Sequence, residues 1–407
     1  MASISFDNTE FAFRYLSDAE LRRSCRLFRM MSLPMLVQVG TTLIPWAMKV
    51  GLPISGLIRK TIFRQFTGGE TLEQTAAVAH TLGKFHVDVI LDYGAEGGEG
   101  SEDEYDHAAA EFLRVIDYAA SQPNIPFMSI KITGLARFAL LEKLDTLMHS
   151  KKGSLIKRYF CALEEITPQE REEWHRVRTR MLRICERAAK QNVGVLVDAE
   201  ETWIQDPIDA LVMLMMDSFN KEKAVIFNTI QHYRHDRLAF LHDCIEAGKE
   251  RKFIMGAKLV RGAYMEKERK RAEKLRYPSP IQPDKAASDR DFDAGVTLCL
   301  NNLDKVSVLI ATHNENSNLL AVQQMETMGI AFDHPHVNFS QLYGMSDNIT
   351  FNLAQLGCNV SKYLPFGPLK SVIPYLMRRA QENTSVKGQT GRELKLILKE
   401  IRRRKGA

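Results

Sequence analysis

Asn192–Glu200 reads NVGVLVDAE, a short apolar, β-branched run that ends on two carboxylates. A run of this kind predicts a strand. Working outward from it, seven similar runs recur at intervals of roughly 25 to 65 residues. They are Phe85–Asp92, Pro126–Thr133, Ala224–Ile230, Phe253–Val260, Val306–His313, His336–Tyr343 and Val360–Phe366. Helix-period segments lie between them and after the last: Tyr105–Ser121, Pro168–Gln191, Asp206–Asn220, Asp236–Gly248, Asp289–Asp304, Glu315–Met328, Asp347–Gly357 and Ser371–Asn383. Eight strands alternating with helices predict a parallel sheet, and the number suits an α/β fold of the (βα)8 barrel type. An open doubly wound sheet is the alternative, but no strand leads into G-x-G-x-x-G. The glycine-rich Gly94–Gly100 (GAEGGEG) carries Glu96 and Glu99, with Glu102 beyond it, and makes a poor phosphate cradle. The expected division is a helical arm over 1–84, a barrel over 85–390 and a basic helix over 391–407.

The chain has 407 residues, 45% hydrophobic and 26% charged, as a globular protein does. Lys+Arg number 55 and Asp+Glu 50, a formal net charge of +5, with the charges interspersed. No polybasic arm or acidic tail dominates, and nucleic acid is not the expected partner. The six cysteines lie tens of residues apart without C-x-x-C, which argues against a zinc ribbon or a disulfide framework and for a reducing compartment. Asp7 and Glu10 precede the first arginine, Arg14, so no cleavable targeting segment is expected. Leu33 to Met48 carries no charge but is interrupted by Pro34, Gly40 and Pro45, too short for a spanning helix. Two readings stay open for it: an arm packed on the body, or an interfacial contact with membrane helped by Trp46 and flanked by Lys49, Arg59 and Lys60.

In a (βα)8 enzyme the reacting residues gather where the strands end. Here those ends are polar: Lys131, then Asp198 with Glu200, Gln231, Lys258 leading to Arg261 and Tyr264, Thr312-His313-Asn314, and Gln341. A charge in an apolar strand is costly unless paired. Each residue alone has a plain structural explanation; together they point to one shared site. A metal is disfavoured, since His313 is the lone strand-end histidine. No G-x-S-x-G appears either. Arg378 and Arg379 are adjacent on a predicted helix and point about 100° apart, so one can enter a site while the other pairs elsewhere. Planar guanidinium groups suit bidentate capture of a carboxylate. Glu382 lies three residues beyond Arg379 and can hold it. Tyr363 and Tyr375 form either an aromatic wall over a small ligand or core.

VDAEE (Val197–Glu201), KLVRGAY (Lys258–Tyr264), ATHN (Ala311–Asn314), QLYGM (Gln341–Met345) and YLMRRAQEN (Tyr375–Asn383), in this order, resemble the proline dehydrogenase family. So do SIKIT (Ser129–Thr133), QHY (Gln231–Tyr233) and LDYGAE (Leu91–Glu96), and the resemblance runs from about Phe85 to the end. It implies a distorted (βα)8 TIM barrel holding FAD, oxidation of L-proline to Δ1-pyrroline-5-carboxylate and electron delivery to a membrane quinone. Carried over residue by residue, Arg378, Arg379 and Lys131 match the carboxylate-binding set, and Tyr264, Tyr363 and Tyr375 the walls around the proline ring. Asp198 matches an aspartate that positions the basic groups and the amine. Lys258 stands where some members have arginine, beside the flavin N5. Gln231, Arg261, Gly262, Ala263, Thr312, His313, Asn314 and Gln341 match FAD-contacting segments. Glu96 matches a gating glutamate that pairs with an arginine of the clamp. The length implies a monofunctional enzyme whose product passes to a separate pyrroline-5-carboxylate dehydrogenase. The implied setting is the cytoplasm, peripheral on the inner face of a bacterial membrane, or else the matrix side of the mitochondrial inner membrane. Gly391–Lys405 reads as a basic amphipathic helix, docked on the barrel or touching anionic lipid. Two other activities stay open: a hydroxyproline dehydrogenase, with Tyr363 as the discriminating wall, and a barrel lyase forming a Schiff base on Lys131 or Lys258.

Overall fold

The computed structural model describes residues 4–49, 54–94, 100–385 and 389–406. Eight strands close into a barrel in chain order. They are β1 (Asp88–Tyr93), β2 (Phe127–Ile130), β3 (Gly194–Val197), β4 (Ile226–Gln231), β5 (Met255–Val260), β6 (Val306–Ala311), β7 (Val337–Leu342) and β8 (Val360–Phe366). All fall on the expected runs, and helices separate them. This is the distorted (βα)8 barrel, with helices before β1 and a helix over Gln389–Arg404 at the end. By the density of its internal contacts the chain divides into two compact units, residues 95–338 and residues 1–94 with 339–407.

In the unit 95–338, β2 to β6 pair side by side and parallel, with Ile130 opposite Val197, Val197 opposite Asn228 and Thr229 opposite Lys258. The strand interiors Val195, Leu196, Val197, Ala257 and Leu259 are wholly buried. Pro168–Gln191 is a helix with the expected bounds, started by a reciprocal Thr167/Glu170 cap. Three helices have no counterpart among the expected ones: Phe138–His149, Leu155–Glu165 and Met265–Leu275. The last reads MEKERKRAEKL and buries only Glu268 and Ala272, so it has no apolar stripe to betray it. Hydrogen bonds to a buried carboxylate anchor it instead. Glu268 accepts from the Thr202 backbone N–H at 2.8 Å and its hydroxyl at 2.7 Å, at the start of the helix Thr202–Phe219.

In the other unit, β7, β8 and β1 pair parallel. Phe13, Phe28, Phe66, Leu376 and Ile397 share one core, so the early helices, the helix Leu369–Ser385 and the last helix pack together. Strand alternation sends Tyr363 to one face of β8 and Lys362 with Leu364 to the other. A Cβ at Gly68 would strike Leu364, so the arm covers that second face. The basic residues of the last helix are drawn into this packing. Arg404 donates to the Phe13 and Leu16 carbonyls at 2.7 and 2.9 Å and pairs with Asp18 and Glu400. On the outer side of the arm Met35 is 79% exposed, and Met30, Leu33, Val39, Leu43 and Leu57 are also exposed. Among the described residues no helix is long and apolar enough to cross a membrane.

Candidate active site

Within 95–338 the first feature is a set of charges at three strand ends. Asp198 follows β3 directly, its backbone N–H bound to the Ile130 carbonyl at 2.9 Å. Its Oδ1 lies 2.5 Å from Lys258 Nζ and its Oδ2 3.4 Å from Lys131 Nζ. Lys258 is on β5 and Lys131 follows β2, so one carboxylate bridges two ammonium groups from the strand ends on either side of it. Lys258 is buried and Asp198 nearly so. Two cations fixed by one anion in a water-poor setting present positive charge in a set direction.

Beside it, Glu200 is buried and its oxygens accept from the Thr133 N–H at 3.1 Å and the Thr133 hydroxyl at 2.5 Å. Burial pushes its carboxyl up to about 7, the Thr133 hydrogen bonds only partly opposing this. The Glu200 carbonyl accepts from Gln231 Nε2 at 3.0 Å. That fixes the amide's orientation and leaves Gln231 Oε1, buried, with no hydrogen-bond partner among the described residues. An orphaned buried acceptor is rare in a finished core and common where a ligand donor belongs.

Arg261, just past β5, donates from Nε to Asp289 at 2.7 Å, from one terminal nitrogen to the Thr312 hydroxyl at 2.6 Å and from the other to Ser317 at 2.9 Å. The guanidinium also lies 4.4 Å over the Phe292 ring. Gly262 follows with φ 141°, and a Cβ there would meet the Tyr233 ring at 2.4 Å. Only glycine lets the backbone run this close. Ala263 is exposed and Tyr264 half-buried, at the start of the helix Met265–Leu275. Asn314 spends its side-chain oxygen capping the helix Glu315–Met328, while the Thr312 oxygen, already bound to Arg261, accepts from the Asn314 N–H at 3.1 Å. His313 is half-buried at the end of β6.

In the other unit, Tyr363 and Tyr375 are buried, on β8 and on the helix Leu369–Ser385. The buried Arg379 guanidinium lies 5.1 Å over the Tyr375 ring, and Arg378 is half-buried. Gln341, on β7, is buried and accepts from the Thr350 hydroxyl at 2.8 Å. Glu96 lies outside the described residues, as does the Glu382 side chain.

The structure thus joins Lys131, Asp198 and Lys258 directly, ties Arg261 to Thr312, and sets Arg379 on Tyr375. Asp92 on β1 and Lys362 on β8, both buried, escaped the reading of strand ends. Lys362, wholly buried within VSKYLPF, ion-pairs with Asp347 at 2.7 Å. The signal that singles out Lys131 and Lys258, a charge in an apolar strand, applies to it equally. Among the described residues no three His, Cys, Asp or Glu side chains gather as a metal site requires.

The proline dehydrogenase family profile matches residues 75–392. The chain is 32% identical over 387 residues to proline dehydrogenase 1, mitochondrial, of Dictyostelium discoideum, covering 88% of this chain and 67% of that one. It is 32% identical over 422 residues to a hydroxyproline dehydrogenase of Xenopus laevis, covering 96% and 88%. Among solved structures, proline utilization A from Bdellovibrio bacteriovorus, inactivated by N-propargylglycine, superposes with a TM-score of 0.69 at 21% identity. That match covers 82% of this chain but 34% of the other, so this chain spans about a third of its length, and the likeness is one of fold. The family profile over most of the sequence and the identity to curated relatives agree with the barrel and its charged rim: the chain belongs to the proline dehydrogenase family.

Proposed function

We propose that this chain oxidises L-proline to Δ1-pyrroline-5-carboxylate with FAD as its cofactor. The observation that carries the reading is the Asp198 bridge between Lys131 and Lys258, two oriented cations at the barrel rim. Proline offers one carboxylate and one ring nitrogen. Lys131, Arg378 and Arg379 are assigned the carboxylate, and Tyr264, Tyr363 and Tyr375 the ring. Asp198 orients the two lysines and the substrate amine, which must be neutral before the C5–H bond is broken. Holding the reacting carbon in one orientation is the main work left to such a site.

The residues present suit a flavin. Gln231 Oε1 is a buried acceptor awaiting a donor, and the Gly262 turn that follows Arg261 is held against the Tyr233 ring, which fixes the loop beside it. Bound FAD supplies the hydride acceptor for proline C5. Gln231, Arg261, Gly262, Ala263, Thr312, His313, Asn314 and Gln341 are assigned to hold it, and Lys258 to tune it. The Arg261 bonds to Asp289, Thr312 and Ser317 keep that loop in one conformation.

The proposed final acceptor is a membrane quinone, reached from a peripheral position on a membrane. The arm supports this: between Glu20 and Glu70 there are eight Lys and Arg residues (22, 23, 26, 29, 49, 59, 60, 64) and two acids, Glu20 and Glu70, the second ion-paired with Arg59. Its exposed Met35, Val39 and Leu43 recur every four residues along one helix face. Such a surface suits anionic headgroups over an apolar interface. Co-sedimentation with phosphatidylglycerol vesicles but not phosphatidylcholine vesicles, lost in Val39→Glu/Leu43→Glu, tests it. The product is left to a separate pyrroline-5-carboxylate dehydrogenase.

A hydroxyproline dehydrogenase is the second reading, favoured by the identity to the Xenopus laevis enzyme over 96% of this chain. The Tyr363 phenol would crowd a C4 hydroxyl, which favours proline. Anaerobic titration of the purified protein with L-proline and with trans-4-hydroxy-L-proline decides between them. Bleaching of a flavin band by proline at lower concentration is expected. A colourless protein, together with borohydride trapping of a carbonyl substrate on Lys131 or Lys258, would instead establish the Schiff-base lyase.

A further inference from the structure

Glu393 lies one residue beyond the family match, near the start of the last helix, Gln389–Arg404, yet it is only 5% exposed. Its carboxylate accepts from the Ser346 backbone N–H at 2.5 Å. Ser346 is a non-glycine residue in the left-handed region (φ 51°, ψ 41°), opening the helix Asp347–Leu356 without a cap from its own side chain. Such a conformation persists only where the surroundings hold it. Glu393 supplies the missing cap from another element, and negative charge is favoured at a helix start.

The clasped turn carries two further ties. The wholly buried Lys362 reaches Asp347 at 2.7 Å and donates to the Met345 carbonyl at 2.5 Å, while the Tyr15 hydroxyl donates to Asp347 Oδ2 at 2.8 Å. Lys362 is next to Tyr363 on β8. In the helix that the turn begins, Thr350 donates to Gln341 on β7. One turn therefore sets the strand that bears Tyr363 and the side chain of Gln341.

We propose that Glu393 is a positioning residue: from the last helix it fixes the Met345–Asp347 turn, and through Lys362 and Thr350 sets Tyr363 and Gln341 for the substrate and cofactor. This rests on the proposed roles of those two residues. The groups facing Glu393 are Asp347, Lys362 and Ser346, with Tyr15 and Tyr343 behind Asp347. Burial, with Asp347 adding to it, pushes the Glu393 carboxyl up to about 7, so it changes charge near neutrality.

The test compares wild type, Glu393→Gln and Glu393→Ala in steady-state proline oxidation from pH 6 to 9, with hydrogen exchange over residues 343–350. The glutamine amide oxygen still accepts from Ser346, so Glu393→Gln should keep the wild-type KM at pH 6 and lose the share of the change near pH 7 that Glu393 contributes, which a Glu200→Gln background isolates. Glu393→Ala should raise proline KM three- to tenfold with kcat within twofold, and speed exchange at Ser346 and Asp347. Should the alanine variant not fold, Glu393→Asp, one methylene short, is expected to show the same KM rise. An unchanged KM and exchange rate in Glu393→Ala overturns the proposal, as does a Glu393→Gln profile that matches its parent in a Glu200→Gln background, where the other carboxyl raised to about 7 is absent. If wild type does not oxidise proline, the functional reading fails on that result alone, while the exchange measurement still decides whether Glu393 holds the turn.

Discussion

Asp198 Oδ1 stands 2.5 Å from Lys258 Nζ, and the two reach each other from strands separated by β4. The pair is buried, so its worth is best read by breaking it. Removing one partner of a buried ion pair costs about 3–5 kcal/mol, because the other charge is left without compensation. Lys258→Met is therefore expected to lower stability by about 3 kcal/mol, Lys131 holding part of the charge. Lys258→Met/Asp198→Leu should recover part of that loss while remaining inactive. Chemical denaturation of the single and double variants gives the coupling; a purely additive pair would show the contact to be unimportant.

Arg378→Met and Arg379→Met are each expected to raise proline KM tenfold or more, with a smaller change in kcat, as loss of a charge-assisted contact to a bound carboxylate should. Arg379 also stacks on Tyr375, so its replacement should be the more severe. Steady-state kinetics check this. Unaltered KM in both variants would sink the carboxylate assignment.

Glu200 gives a pH signature. Its carboxyl is raised to about 7 in the folded protein from 4.5, so its contribution to stability is fully present below about pH 4.5 and is lost as pH rises toward 7. Glu200→Gln cannot titrate. Relative to wild type, its stability should improve by up to about 3 kcal/mol between pH 4.5 and 7.5. Denaturation midpoints at several pH values, taken as a difference between the two proteins, measure it.

Gly262→Ala combines a φ of 141° with a Cβ placed 2.4 Å from the Tyr233 ring. Strain of this type costs about 1–3 kcal/mol, and the clash adds to it. A lower thermal midpoint and weaker flavin retention on gel filtration are expected. Gly329, also at positive φ but with open space around it, is the control and should lose stability without losing flavin.

The eight strands could be found from sequence because each is a short apolar run, and β8 begins and ends where the pattern does. The Lys131, Asp198 and Lys258 set was legible for a related reason: a charge is conspicuous in or beside such a run. What escaped was held by other forces. Met265–Leu275 packs through Glu268 and so lacks helical periodicity in its apolar residues. Glu393 sits in a stretch that reads as solvated charge, and its burial depends on a turn almost fifty residues earlier in the chain. Distances between side chains on different strands, such as Arg261 to Thr312, depend on barrel closure and have no local signature.

The bonds from Arg404 to the carbonyls of Phe13 and Leu16 set the order in which the molecule can be completed. They join positions nearly four hundred residues apart, and β1 likewise pairs with β8. During synthesis the arm and the first strand leave the ribosome long before either partner exists. With contacts this non-local, folding is slow, and the waiting segment leaves Phe13, Phe28 and Phe66, which end in the shared core, open to solvent throughout. The last turn of the final helix is thus the step that commits the beginning of the chain, and deleting a few residues there should leave a nascent protein that chaperones hold rather than release.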